Sequence, residues 1–204
     1  MSTSFFDNTK IVGIAFLVVG FMLLIDAVLG IILGFVDVSD DMKDGIKEWT
    51  LYCVIGGIGS CICATLYTIF AMKVYKGIFS EKIVILEKYV LIVGITTLIG
   101  GIFAGIATAV GGGDMAVALT AVILSVLIGA LIIWIATQIN DDKKTLADKV
   151  IWIILMVAFV ILLIIGVLSL FSLAGIVDGI AHIIIALFMI AFLVDPEVRS
   201  KMNM

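Results

Sequence analysis

Val150–Val194 reads VIWIILMVAFVILLIIGVLSLFSLAGIVDGIAHIIIALFMIAFLV, a stretch whose only ionisable side chains are Asp178 and His182. As one helix it would extend about 67 Å at 1.5 Å per residue, more than twice the roughly 30 Å hydrocarbon core of a bilayer. A turn near Ser172–Gly175 resolves this conflict. We therefore predict two membrane spans here, Val150–Phe171 and Ile176–Val194.

Four further apolar runs of similar length precede this stretch: Ile11–Val36, Thr50–Met72, Tyr89–Val110 and Met115–Thr137. Each is long enough to cross a bilayer, which takes about 20 helical residues. Lipid leaves every backbone polar group to be satisfied within its own segment, so unbroken runs indicate helices rather than barrel strands. We predict an all-α, polytopic membrane protein in which residues 1–204 form a single integral-membrane domain of six transmembrane helices.

The basic residues are sorted onto one side of this arrangement. Only two of the 12 Lys and Arg residues, Lys43 and Lys47, fall on the other side, where the Asp37–Trp49 loop is acidic. Cytoplasmic loops carry an excess of Lys and Arg, so we expect a cell-membrane protein with both termini cytoplasmic. The first run has 26 residues and exceeds the 7–15 of a signal-peptide core, so we expect a retained span.

The six spans are predicted to form three consecutive helical hairpins. Ser4-x-x-Asp7 and Thr145-x-x-Asp148 match a helix-capping pattern before the first and third hairpins, and Ser80-Glu81 stands before the second. Span three is then expected to protrude as far as residue 81. The recurrence of these start signals favours a threefold internal repeat whose units run in parallel, unlike the inverted repeats of many transporters.

Three ionisable residues, Asp26, Asp178 and His182, fall inside apolar runs. A charge at the bilayer centre costs about 2.5–3.5 kcal/mol on insertion scales, so such residues usually face inward and have partners. By helical rise both aspartates lie roughly 22–24 Å above the inner interface, and His182 lies on the same helix face as Asp178. If spans one and six are neighbours, the three groups form a cluster. Three interpretations stay open: an ion or proton relay, a buried pair that fixes helix register, or carboxylates at the outer interface that water reaches.

Glycine pairs four residues apart occur in or beside spans one, three and six: Gly30 and Gly34, Gly101 and Gly105, Gly175 and Gly179. Small residues at this spacing let helix backbones approach closely. They are consistent with packing inside one bundle or with contacts between copies of the chain.

The remaining features argue against catalysis. Cys53, Cys61 and Cys63 all lie in span two, where we interpret them as small buried residues, with Cys61 and Cys63 facing different sides. The acidic outer loop lacks the ligand spacing of an EF-hand, and the chain has one histidine, so no metal site is expected. No nucleotide-binding, hydrolase or metalloprotease motif is present, and 12 basic against 16 acidic residues form no basic stripe. We expect no enzyme activity, no cofactor and no nucleic-acid partner.

Two glycine-containing stretches lead into charged turns: Val54-Ile55-Gly56-Gly57 through Lys73-Val74-Tyr75-Lys76-Gly77, and Leu127-Ile128-Gly129-Ala130 leading to Asp141-Asp142-Lys143-Lys144. With three parallel hairpins in about 200 residues, this topology resembles the HdeD-like acid-resistance membrane proteins. The outer hairpin loops depart from that pattern because they lack proline, and the first of them is unusually acidic. The resemblance implies a six-helix, non-enzymatic membrane protein, and it assigns no functional residue.

Two functions remain as hypotheses. The first is a structural or accessory membrane protein that acts through helix–helix association, as a homo-oligomer or as a subunit of a larger membrane complex, with membrane lipids as its other partners. The second is a small proton- or cation-coupled transporter or channel that uses Asp26, Asp178 and His182. An enzyme of lipid or cofactor metabolism is a distant third.

Overall fold

The computed structural model describes residues 8–39, 43, 45–141, 145–171 and 175–204. Within these ranges the chain is almost entirely helical and contains no β-strand. The ranges hold six helices long and apolar enough to cross a membrane: α1 (Thr9–Leu33), α2 (Trp49–Tyr75), α3 (Lys82–Val110), α4 (Met115–Gln138), α5 (Leu146–Ser169) and α6 (Ile176–Val194). A short helix, α7 (Pro196–Lys201), follows them. The predicted six-helix, all-α fold is confirmed, and the apolar helices indicate a multi-pass integral membrane protein.

The helices extend beyond the apolar runs mainly at the end where the lysines lie. α3 begins at Lys82, seven residues before its apolar run, as the expected protrusion of span three requires. α5 likewise begins at Leu146. Hydropathy marks the part of a helix that lies in lipid, whereas Lys and Glu are good helix formers that continue it into water. The break between α5 and α6 lies where predicted, although residues 172–174 are outside the described part of the chain.

The three hairpins begin with different chemistry. At α5 the Thr145 N–H donates to Asp148 Oδ2 at 2.6 Å, which completes the predicted capping box. At α1 the N-cap is Asn8, whose side-chain oxygen accepts the N–H groups of Lys10 and Ile11, while the predicted Ser4-x-x-Asp7 signal lies outside the described residues. At α3 the N-cap is Glu81, which makes no side-chain capping bond. The internal repeat therefore stays a prediction.

Consecutive helices pack in pairs, α1 with α2, α3 with α4 and α5 with α6. Contacts between α2 and α3 and between α1 and α6 join the pairs, whereas α4 and α5 barely touch. Opposed glycines bring the paired backbones together: a Cβ on Gly94 would lie 3.0 Å from the Gly129 oxygen, and one on Gly179 would lie 2.7 Å from the Gly166 oxygen. Such close approach is how membrane helices gain packing energy without a hydrophobic driving force.

Hydrogen bonds and ion pairs gather the connections at two ends of the bundle. The N–H groups of Lys47 and Glu48 both donate to the Gly111 oxygen, so the connection between α1 and α2 meets the connection between α3 and α4 at what we call the acidic end. At the opposite, basic end, Asp195 pairs with Lys82 and Glu81 pairs with Lys201. Five further charged residues of the connections lie outside the described residues: Asp40, Asp41, Asp44, Lys143 and Lys144.

Packing differs between the two halves of the bundle. The basic half contains a continuous aromatic cluster. The Phe16 and Phe188 rings, for example, meet edge to face at 5.6 Å. The members of the cluster are Phe16, Tyr67, Phe70, Phe79, Tyr89, Phe159, Phe188 and Phe192. The buried apolar residues of the acidic half are small, among them Ala27, Cys53 and Ala107. The bundle is therefore solid toward its basic end and hollow toward its acidic end.

Candidate functional site

A cavity of about 690 Å³ occupies the hollow half. Its walls come from α1, α2, α3 and α6, with Leu162 contributed by α5. On α2 the lining runs from Trp49 at the acidic end to Tyr67, 18 residues further on, or about 27 Å by helical rise. We call this space the central cavity. Its volume lies in the range of about 300–1,000 Å³ that is typical of small-molecule sites.

Small residues create this space. Gly30 on α1 and Gly56 on α2 line the cavity, and a Cβ added at either position would meet no atom within 4 Å. At Gly100 on α3 the nearest atom to such a Cβ would be the Cys63 sulfur, 4.0 Å away. Elsewhere in this bundle glycine permits helix contact. At these positions no neighbouring atom fills the space that the missing side chain leaves, so the glycines enlarge the void.

Several polar side chains line the cavity, and two of them have a buried atom without a partner in the described part of the chain. Asp26, Ser60, Tyr67 and His182 all contribute to the wall. The Tyr67 hydroxyl and His182 Nδ1 are buried and have no hydrogen-bond partner among the described residues. An unsatisfied buried polar group costs about 1–3 kcal/mol. The described lining also contains no Lys or Arg, so Asp26 has no cationic side chain of that kind beside it in the cavity.

The three predicted ionisable residues lie at neighbouring positions on α1 and α6. These helices are in contact, and Asp26 and Asp178 are close enough to interact electrostatically. Asp26 and His182 line the cavity, whereas Asp178 lies in the first turn of α6, where the helix dipole favours a carboxylate. No hydrogen bond joins His182 Nδ1 to Asp178. The side chain of Asp26 is exposed rather than buried. This geometry gives little support to the buried-pair interpretation.

The predicted glycine pairs contact helices of the same chain at four of six positions. A Cβ at Gly34, Gly101, Gly105 or Gly179 would lie within 3.0 Å of an atom on the adjacent helix or its hairpin partner. At Gly175 it would approach the Ser169 oxygen across the α5–α6 turn. Gly30 differs, because it lines the cavity.

The cysteines divide between two environments. Cys53 and Cys63 line the central cavity. Cys61 lines a shallow apolar depression on the outer surface of the bundle with Ile31 and Ile58. Cys61 and Cys63 thus face different sides, as their spacing predicts. Among the described residues, no group of three His, Cys, Asp or Glu side chains is arranged to hold a metal ion.

Two layers of aromatic residues bound the cavity. At the acidic end Trp49 stacks on Tyr52 at 5.8 Å, and its Nε1–H donates to the Leu33 oxygen at 3.2 Å. At the other limit the rings of Tyr67 and Tyr89 meet edge to face at 6.3 Å. Beyond them the aromatic cluster fills the bundle. The cavity therefore extends from the acidic end and stops at a floor of aromatic rings.

No protein-family model, no curated protein and no solved structure matches this chain. The likeness to the HdeD-like membrane proteins therefore stays a prediction from topology, and the site is interpreted from its own geometry.

Proposed function

We propose that this chain is a non-catalytic membrane protein that works as a small proton- or cation-coupled transporter, with the central cavity as its substrate site. The observation that carries the proposal is the cavity itself, which reaches deep between apolar helices and is lined by Asp26 and by unpaired polar atoms of Tyr67 and His182. Polar and ionisable groups are costly at membrane depth and usually mark ion or substrate paths. Helix packing alone does not require polar or ionisable groups at this depth.

The chemistry of such a site follows from its groups. A carboxylate and an imidazole on adjacent helices are the types of group that form proton and ion paths inside membrane proteins. Passage to the basic end requires the Tyr67–Tyr89 floor to open. Since α1 and α6 contact each other across this region, a shift of one hairpin against another is the motion that would open it.

We place the basic end in the cytoplasm, following the distribution of Lys and Arg. Both termini are then cytoplasmic, and the cavity faces the outside of the cell membrane. The Lys82–Asp195 and Glu81–Lys201 pairs lie at the cytoplasmic surface in this orientation and tie the second hairpin to the C-terminal segment.

The alternative, helix association with copies of the chain or with a larger complex, rested on the glycine pairs. Four of those glycines contact helices of their own chain, one lies in a turn and one lines the cavity. None of these observations favours an association role over transport, so we retain self-association only as an outcome of the test below.

The test is proton and monovalent cation flux in liposomes that contain the full chain. We compare the parent with Asp26→Asn, which removes the charge at constant shape. The control is Asp114→Asn, since Asp114 caps α4 through the Ala116 N–H and lies outside the cavity, and asparagine also caps helices. We expect flux in the parent and in the control, and its loss in Asp26→Asn. A folded parent with no flux, running as a stable oligomer, would contradict transport and support the structural alternative.

A further inference from the structure

A second void lies beside the central cavity. It is a groove of about 260 Å³ between α3, α4 and α5, at the place where α4 and α5 barely touch. Apart from Tyr89 its walls are hydrocarbon side chains, including Ile132 and Ile135 on α4 and Ala158 on α5. We call it the lateral groove. By its position between the second and third hairpins it faces the acyl chains of the bilayer.

The two voids share part of their walls. Tyr89, Val93 and Leu162 line both of them. A Cβ on Gly166 would lie 3.1 Å from the His182 Cβ, and Leu162 lies one helical turn closer to the basic end on the same helix. The upper limit of the groove therefore lies about one turn below His182, where Tyr89, Val93 and Leu162 separate the two voids.

The cavity has the chemistry of a cation site. Asp26 supplies a negative charge, and the described lining holds no Lys or Arg that would neutralise it. Four aromatic residues also line the space: Trp49, Tyr52, Tyr67 and Tyr89. Aromatic faces attract organic cations by about 0.5–2 kcal/mol each, most strongly where water is excluded. An anion would meet repulsion from Asp26 and from the electronegative ring faces.

We propose that the central cavity and the lateral groove together form one binding site for an amphipathic organic cation, whose charged group lies beside Asp26 between the two aromatic layers and whose apolar part lies in the groove. This inference rests on the proposed function and names its substrate class. A polar cavity alone would suit a metal cation or a small hydrophilic solute. The apolar groove behind Tyr89 and Leu162 adds the requirement for a hydrocarbon portion, and it gives such a ligand a path from the bilayer.

The test uses the purified full chain in lipid nanodiscs, with empty nanodiscs subtracted, and isothermal titration with three probes. Decyltrimethylammonium has the charge and the chain, tetramethylammonium has the charge alone, and decyl sulfate has the chain with the opposite charge. We expect saturable binding of the first, much weaker binding of the second and none of the third. Asp26→Asn should weaken decyltrimethylammonium binding about 10- to 100-fold, the range for a lost contact to a charged group.

A substitution in the groove separates the two halves of the site. Ala158 lines the groove and is exposed, so Ala158→Phe fills it without disturbing the bundle. It should weaken binding of decyltrimethylammonium but not of tetramethylammonium. Val157→Phe, on the adjacent lipid-facing position, should change neither. If Ala158→Phe does not yield folded protein, the probe series and Asp26→Asn decide the question.

Equal saturable binding of decyl sulfate, or unchanged affinity in Asp26→Asn, would overturn the cation site. The two proposals also fail separately. Proton flux that depends on Asp26, without binding of any organic cation, overturns this inference alone. Binding without flux overturns transport while leaving a cation-binding site.

Discussion

Two glycines on α1 test the contrast between the solid and hollow halves of the bundle. Gly13 lies in the basic half, where a Cβ would be only 2.4 Å from Tyr75 Cα and 2.5 Å from Tyr75 N. Gly30 lies in the acidic half, where a Cβ would meet nothing within 4 Å. The perturbation is the same methyl group, placed once at each position.

The expected effects have opposite signs. At Gly13 the methyl group requires α1 and α2 to separate by about 1 Å at a backbone contact, and overpacking of this kind costs about 1–3 kcal/mol. At about 2–4 °C per kcal/mol for a chain of this size, Gly13→Ala should lower the unfolding midpoint by roughly 2–12 °C. At Gly30 alanine removes the helix penalty of glycine, about 0.5–1 kcal/mol, so Gly30→Ala should raise the midpoint by roughly 1–4 °C.

The assay is thermal unfolding in one detergent, followed by helical circular dichroism, with both variants and the parent measured side by side. The difference between the two variants is the informative quantity, because general effects of detergent cancel. Equal shifts for the two substitutions, or a more stable Gly13→Ala, would refute the claim that the halves differ in packing.

Three further outcomes are expected. Tyr67→Phe removes an unpaired buried hydroxyl, so it should leave the midpoint unchanged or raise it while weakening decyltrimethylammonium binding; a fall in stability would mean that the hydroxyl has a partner in the folded chain. Burial raises the pKa of Asp195, but hydrogen bonds from Lys82 and the Glu197 N–H together with the Lys82 charge outweigh it, and the net pKa is lowered. A lowered carboxyl pKa stabilises the folded state at pH values above the unfolded-state pKa of about 3.9. The parent should therefore have a larger free energy of unfolding than Asp195→Asn at pH 7, and this difference should vanish as the pH falls through the lowered pKa. A difference that does not depend on pH would contradict this. Asp148→Ala breaks the capping box at Thr145 and should cost about 1 kcal/mol in chemical unfolding, whereas an unchanged midpoint would show that the cap contributes nothing.

The sequence predicts the fold well because one physical requirement dominates it. Backbone groups in lipid must be paired within their own segment, so the apolar runs become helices and charged connections become turns. At the basic end the helix starts were indicated by capping residues rather than by hydropathy, since residues such as Lys82 and Leu146 continue a helix outside the apolar run. The Thr145–Asp148 cap was visible because its two partners are only three residues apart.

The site was only partly visible in the sequence. Asp26, Asp178 and His182 stood out because they are ionisable within apolar runs, and α1 and α6 do meet. Tyr67, Tyr89 and the unpaired hydroxyl were missed, since aromatic residues are common in spans. A signal does exist: Cys53, Gly56, Ser60, Cys63 and Tyr67 follow one another at spacings of three or four and share one face of α2. That pattern predicts a small and polar helix face, but whether such a face packs or encloses space depends on the neighbouring helices.

Water access to Cys63 tests the central claim most directly. Cys61 and Cys63 are both partly exposed, yet Cys63 lines the cavity and Cys61 lies on the outer surface of the bundle. Single-cysteine variants in oriented vesicles are treated from the acidic end with a membrane-impermeant, positively charged methanethiosulfonate. Since a thiolate in contact with water is the reactive form, we expect Cys63 to react roughly tenfold faster than Cys61 or more. Equal rates, or a Cys63 that stays unmodified while Cys61 reacts, would contradict a cavity that opens to water at the acidic end.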